Sequence, residues 1–361
     1  MRYRARLAMT DQPDPPDDSG SPHKRRPRYR GTHPRRFDEK YKELAPERYP
    51  GIVPHVLAKG RTPAGQHVPI MVDEVLDALA PAPGERAVDA TLGYGGHAQR
   101  LLERLQPGGM LLGLDVDPLE LPRTETRLRA LRFGEDALVV RRSNYAGLPA
   151  ALAAIGWNDG ADVVLADLGV LSMQIDNPAR GFTFGADGPL DMRMNPDRGQ
   201  SAAAWLERAT PQQLTEALRE NADEPFAEHI ADVLGARRGA LATTQALSAA
   251  VRFALAGQPR DDIDQSVRRV FQALRIEVNE EFAALDALLR ALPHCLRTGG
   301  RAAFLTFHSG EDRRVKKAFQ AAERDGTYAA VAGEVIRPSA KERHDNPRAK
   351  PAKLRWARRA G

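Results

Sequence analysis

The sequence predicts an α/β fold: a mostly parallel sheet with helices on both faces, interrupted by a helical insertion. Three observations predict it. Short apolar runs that end in aspartate alternate with segments of helical periodicity. A glycine-rich turn joins the first of these runs to a helix. The alternation stops over residues 176–269, where helical signals take over, and then resumes.

The elements follow in order. Met71, Val72, Val75, Leu76 and Leu79 recur at helical spacing and predict a helix over 70–80, ended by Pro81-Ala-Pro-Gly84. Residues 86–89 form a short strand, 91–96 a glycine-rich turn and 97–105 a helix stopped by Gln106-Pro-Gly-Gly109. Met110-Leu-Leu-Gly-Leu-Asp115 has the length and composition of a buried parallel strand. A helix over 119–132, a strand over 137–141, a helix over 145–155 and the strand Ala161-Asp-Val-Val-Leu-Ala-Asp167 complete four strand–helix alternations. Residues 176–200 are rich in glycine and proline, and helices are expected over 201–209, from Thr210, and over 225–236 and 243–256. The string Thr210-Pro-Gln-Gln213 resembles a capping box. Phe271, Leu274, Val278, Phe282, Leu285, Leu288 and Leu292 predict one long helix, followed by a strand over 301–307, a basic helix over 311–324 and short strands near 330–337 and 353–358. Five strand–helix units with a terminal strand pair resemble the Rossmann-like sheet of class I methyltransferases.

Charge divides the chain into three parts. The net charge is +5, yet residues 1–60 carry +6, residues 337–361 carry +7 and the middle carries −8. Residues 1–60 hold nine prolines, an acidic patch and a basic patch without apolar periodicity, and are expected to be a disordered extension. The remainder is expected to form a discontinuous methyltransferase-like domain over 61–175 and 270–361, with 176–269 as a helical insertion for RNA recognition. A single cysteine, Cys295, excludes a disulfide framework and a multi-cysteine zinc site, and is expected in the core. No apolar run is long enough for a spanning helix and no apolar signal core follows the basic start, so a cytoplasmic protein without a membrane partner is expected.

The chemistry gathers where strands end. Gly93-Tyr-Gly-Gly-His-Ala98 follows a strand and opens a helix, a place where backbone can approach a ligand closely. The string also fits the dinucleotide pattern, so NAD competes with S-adenosylmethionine as the cofactor. Asp115 ends the second strand, where a carboxylate can accept both ribose hydroxyls, and Tyr145 follows the third, placed to pack on an adenine face. Asp167 ends the fourth at the mouth of the same crevice. Asp89, just ahead of the glycines, leans toward S-adenosylmethionine.

At Asp89-Ala-Thr-Leu-Gly-Tyr-Gly-Gly-His97 and Leu165-Ala-Asp-Leu-Gly-Val-Leu-Ser-Met-Gln174 the chain closely resembles the ribosomal RNA small-subunit methyltransferase H family, also called MraW. Further matching strings are Asn177-Pro-Ala-Arg-Gly-Phe-Thr-Phe184, Gly188-Pro-Leu-Asp-Met-Arg-Met194, Phe271-Gln-Ala-Leu-Arg-Ile-Glu-Val-Asn279, Thr306-Phe-His-Ser-Gly-Glu-Asp-Arg313 and Asn346-Pro-Arg-Ala-Lys350, so the resemblance runs from His67 to about Arg355. It implies S-adenosylmethionine as cofactor and a cytidine N4 amine in the decoding region of small-subunit ribosomal RNA as target. It places cofactor contacts on Gly95, Gly96, His97, Asp115, Tyr145, Asp167 and Gln174. The chain departs from the family pattern at Ala98, Leu171 and Gly310.

The amine needs a hydrogen-bond acceptor, because its lone pair is delocalised into the ring and positive charge develops on nitrogen during attack. No Asp/Asn-Pro-Pro-aromatic loop follows Asp167, so three candidates stand for a catalytic role: Asp167, Asp191 and His308. A metal site from His308, Glu311 and Asp312 is conceivable by spacing, but methyl transfer requires none and no metal is expected. Arg180, Arg193 and Arg198 are candidates for RNA contact, while Arg313, Arg314, Lys316 and Lys317 read as a solvated helix face. The small ribosomal subunit is the expected partner; monomer and homodimer both stay open.

Overall fold

The computed structural model describes residues 69–170 and 172–361. The expectation for residues 1–60, and the departure at Leu171, lie outside the described residues. The helices are α1 Val72–Leu79, α2 Gly96–Leu105, α3 Glu120–Ala130, α4 Leu148–Ala153, α5 Ser172–Asp176, α6 Ala202–Arg208, α7 Pro211–Ala222, α8 Ala227–Ala236, α9 Thr244–Ala254, α10 Arg260–Val278, α11 Glu281–Cys295, α12 Ser309–Arg324 and α13 Ala340–Asp345. The strands are β1 Arg86–Asp89, β2 Met110–Asp115, β3 Leu138–Arg142, β4 Ala161–Asp167, β5 Leu296–Thr306, β6 Tyr328–Val331 and β7 Lys353–Arg359.

They form one sheet in the order β3-β2-β1-β4-β5-β7-β6. The first five strands run parallel, and β7 lies antiparallel between β5 and β6. This is the class I methyltransferase sheet. Alternate residues of each strand feed opposite faces, as a pleated strand requires. Ala87, Leu111, Val163, Leu165, Ala303 and Leu305 pack against α1, α2 and α3. Val88, Leu112, Val164, Ala166, Ala302 and Phe304 pack on the other face with α4, α11 and α12. Burial on both faces explains why these strands read as continuous apolar runs instead of alternating ones.

A third core belongs to the helices between the two sheet halves. Leu206, Leu214, Leu218, Ile230, Leu234, Leu247, Val251, Val267, Val270, Phe271 and Leu274 form it. Helix α7 opens with a full capping box: Thr210 Oγ1 accepts from Gln213 N at 3.2 Å and Gln213 Oε1 accepts from Thr210 N at 2.9 Å.

The structure corrects one expectation here. The long helix is two helices: α10 ends at Val278, and Glu280 turns into the left-handed region at φ 50° before α11 begins. The helical core takes in Val270, Phe271, Ala273 and Leu274 of α10. The apolar repeat runs on through the break because both helices need an apolar stripe, one for each core, and periodicity cannot tell the cores apart. Smaller shifts fall at the end of the chain. Strand β6 starts earlier than expected, and Ile336 makes only a single bridge to Leu354. No helix among the described residues is long and apolar enough to cross a membrane.

Candidate active site

Parallel strands bring their carboxyl ends to one edge, and β2, β1 and β4 are neighbours that each end in aspartate. Asp89 is 1% exposed; its Oδ1 accepts from Thr91 N at 3.1 Å. Thr91 Oγ1 in turn accepts from Asp167 N at 2.7 Å, tying the ends of β1 and β4 together. Asp115 Oδ2 accepts from Gly93 N at 2.8 Å and its Oδ1 from Asp117 N at 2.9 Å, so the glycine-rich turn hangs on this carboxylate.

These carboxyl groups crowd together with no cationic partner among the described residues. Burial, and then the charge of Asp115, pushes the Asp89 carboxyl up to about 7. Burial, and then the charges of Asp89 and Glu311, pushes Asp167 up to about 8. Asp115 is raised by burial, with the Asp117 and Gly93 amides holding it back. His97 Nε2 lies 3.6 Å from Asp167 Oδ2, but burial pushes its imidazole down to about 4. It is therefore neutral at pH 7 and supplies no positive charge to these carboxyls. Its Nε2 has no hydrogen-bond partner among the described residues.

The pocket at this edge is lined by Thr91, Gly93, Asp115, Ser143, Asn144, Tyr145, Asp167, Gly169, Gln174, Met194, Asn279 and Glu281. It thus brings together four of the residues expected at the cofactor: Asp115, Tyr145, Asp167 and Gln174. Tyr145 starts a single 3₁₀ turn that Asn144 caps, and its hydroxyl donates to Glu281 O at 3.2 Å. Gln174 Nε2 donates to Asp117 Oδ2 at 2.7 Å. Gly95 and Gly96 stand behind the lining, and packing by itself asks for glycine at both. A Cβ on Gly95, at φ 71°, would come within 2.9 Å of Thr124, and one on Gly96 within 2.6 Å of Pro69. They let the start of α2 pack on α3 and Pro69; Gly93 is the glycine that borders the pocket.

The remaining candidates lie elsewhere. Asp191 receives Arg193 Nε at 2.8 Å and Nη2 at 2.7 Å, and this partner outweighs burial and holds its carboxyl below the usual range. His308 caps α12: its Nδ1 faces Glu311 N at 3.5 Å and its Nε2 lies 3.1 Å from Glu311 Oε1. Burial raises Glu311, but the His308 contact, the charge of Arg275 and the Phe307 amide bring it below the ordinary value. The spacing-based grouping with Asp312 does not form, because Asp312 turns away to Lys353 at 2.8 Å and Arg355 at 2.7 Å. Glu281 joins His308 and Glu311 instead, but both its oxygens are taken by Arg275 at 2.9 Å, which makes the group an ion-pair network. Gly310 fits there because a Cβ would meet the Phe282 ring at 2.5 Å. Burial pushes the Cys295 thiol up to about 11, which suits a core residue.

Two arginines expected to reach RNA are already engaged. Arg180 pairs with fully buried Asp117 at 2.8 Å, and Arg193 with Asp191. Arg198 is exposed. Sequence reasoning gave no role to Thr91, Met194, Asn279 or Glu281, all of which line the pocket. Only Asn279 carried a usable signal: an asparagine in an apolar repeat is a common helix end.

Comparison with known sequences completes the picture. Ribosomal RNA small subunit methyltransferase H 1 of Agathobacter rectalis is 47% identical over 345 residues, covering 94% of this chain and 98% of its own. Ribosomal RNA small subunit methyltransferase H 2 of Alkaliphilus metalliredigens is 48% identical over 351 residues, covering 95% and 100%. Residues 64–360 match the MraW methylase family, and the chain belongs to it.

Proposed function

We propose that this protein uses S-adenosylmethionine to methylate the N4 amine of a cytidine in the decoding region of small-subunit ribosomal RNA, working in the cytoplasm on the small ribosomal subunit. The observation that carries the cofactor reading is the set of buried and half-buried carboxylates at three adjacent strand ends, with no cationic side chain paired to them among the described residues. Such a site favours a cation. It disfavours the pyrophosphate of a dinucleotide, which would add negative charge to a place already short of positive charge.

When bound, S-adenosylmethionine supplies an electrophilic methyl group on a positively charged sulfur. Asp115 keeps lone pairs for ribose hydroxyls beyond the two amides it holds. Tyr145 is fixed through its hydroxyl and offers its ring as a wall. Asp167 is the acceptor we assign to the target amine: it opens into the pocket with its side chain 30% exposed, whereas Asp191 is committed to Arg193 and His308 to Glu311. A bound sulfonium cation favours the ionised form of Asp167, whose carboxylate then takes up charge developing on nitrogen, and a neutral His97 beside it leaves that carboxylate free to do so. Positioning of the amine on the line through methyl and sulfur supplies the rest of the acceleration.

The test is transfer of labelled methyl from S-adenosylmethionine to small subunits from a strain lacking this protein, with mass mapping of the product. Label on a decoding-region cytidine at N4 is the expected result. Label elsewhere, or none, overturns the proposal.

A further inference from the structure

We infer that Asn279 is a positioning residue for the cofactor pocket, fixing the Met192–Met194 backbone as one wall and tying that wall to the helical unit. The inference rests on the cofactor reading above. Asn279 ends α10, and all three of its amide bonds are made at this junction. Its Oδ1 accepts from Met194 N at 2.7 Å, and its Nδ2 donates to Met192 O at 2.8 Å and to Arg275 O at 2.9 Å. Met194 and Asn279 both border the pocket, and so does Glu281, whose carbonyl receives the Tyr145 hydroxyl.

The wall does not hold this shape unaided. Met192 has φ 63° and Glu280 has φ 50°, left-handed values that cost a side-chain-bearing residue about 1–2 kcal/mol each. Asn279 bonds to one of these strained residues and precedes the other. On the opposite side Arg180 Nη2 donates to Arg193 O at 3.1 Å and Met194 O at 2.8 Å, while its Nη1 holds Asp117 just past β2. A strap therefore runs from the sheet through the 192–194 backbone to the end of α10. Without Asn279 its far end is loose, and the wall relaxes away from the position that closes the pocket.

The experiment is calorimetric titration of the full chain with S-adenosylhomocysteine, with thermal melting and hydrogen exchange alongside. Asn221→Ala is the control: Asn221 also bonds α10, at Ala273 O (3.3 Å) and Glu277 Oε2 (3.1 Å), but away from the pocket. Asn279→Ala is expected to weaken binding fivefold or more and to abolish ligand-induced protection of the Met194 amide. Asn221→Ala is expected to lower the melting temperature with affinity within twofold of wild type. Asn279→Ser reads the same comparison if the alanine variant does not fold. A loss below fivefold in the Asn279 variants, or an equal loss in Asn221→Ala, overturns the inference alone. Wild type that binds neither S-adenosylhomocysteine nor S-adenosylmethionine overturns the cofactor reading and this inference together.

Discussion

The carboxyl edge of the sheet and the loop that follows α5 are both rich in aspartate, yet they treat it in opposite ways. At the edge, buried Asp89 and half-buried Asp115 and Asp167 have no cationic partner among the described residues, and desolvation with repulsion from neighbouring carboxylates raises all three. Around the loop, Asp117 meets Arg180, Asp191 meets Arg193 and Asp176 meets Arg348. The first arrangement costs stability until a positive ligand arrives; the second satisfies itself. The difference teaches how to read an acidic residue near a pocket. A carboxylate with its arginine in place is holding the fold, and one left without a cation in a buried site marks where a ligand goes.

The largest effect expected from breaking this contrast is on stability. Arg180→Ala leaves Asp117 buried and charged without its partner, and should destabilise by about 3–5 kcal/mol in denaturant unfolding. Arg193→Ala removes a half-buried, partly solvated pair and should cost under about 1 kcal/mol in the same assay. Equal losses would show that the two pairs are not different in kind.

The next effect is on the ligand. Asp115→Ala removes the acceptor for the Gly93 and Asp117 amides as well as the one proposed for ribose. Each hydrogen bond to a charged group contributes about 1.5–3 kcal/mol. Affinity for S-adenosylmethionine should therefore fall about 10- to 100-fold or more by calorimetry, with little change for Asp191→Ala.

The smallest effect is the pH dependence. Asp89 and Asp167 have folded values near 7 and 8 against an ordinary 3.8, so between these limits the folded protein retains protons that the unfolded chain has released. Their contribution to stability is thus lost as pH rises through that window, at no more than about 1.4 kcal/mol per pH unit for each group. Replacing Asp89 with Asn should flatten the fall in melting temperature of the ligand-free protein from pH 5 to 8.5. The melting shift produced by S-adenosylmethionine should grow over the same range, because the deprotonated pair holds a cation better. A shift independent of pH would count against these carboxylates as the cation's site.

Much of this was legible in the residues. Strand ends carrying aspartate, the glycine-rich turn and the two kinds of core could be read because they are local: a period-two or continuous apolar run and a 3.6-residue repeat are written in adjacent positions. Asp115, Tyr145 and Asp167 converge because parallel strands align their ends, so topology alone places them. Glu281 was not legible, and Asn279 was legible only as a helix end and not as a pocket residue. They sit in an apolar repeat that continues from Phe271 to Leu292, and nothing in that repeat records that its first half faces one core and its second half another.

The sequence by itself determined the α/β class, the strand–helix order and the carboxylates at the crevice, since each follows from neighbours a few residues apart. Only the tertiary structure decided which charges are spoken for, where the long helix breaks and which backbone closes the pocket. Those depend on partners separated by many positions: Arg180 on Asp117, Met194 on Asn279 and Tyr145 on Glu281. Whether a buried polar group is satisfied is set by what the fold brings beside it, and that information exists only once the chain has packed.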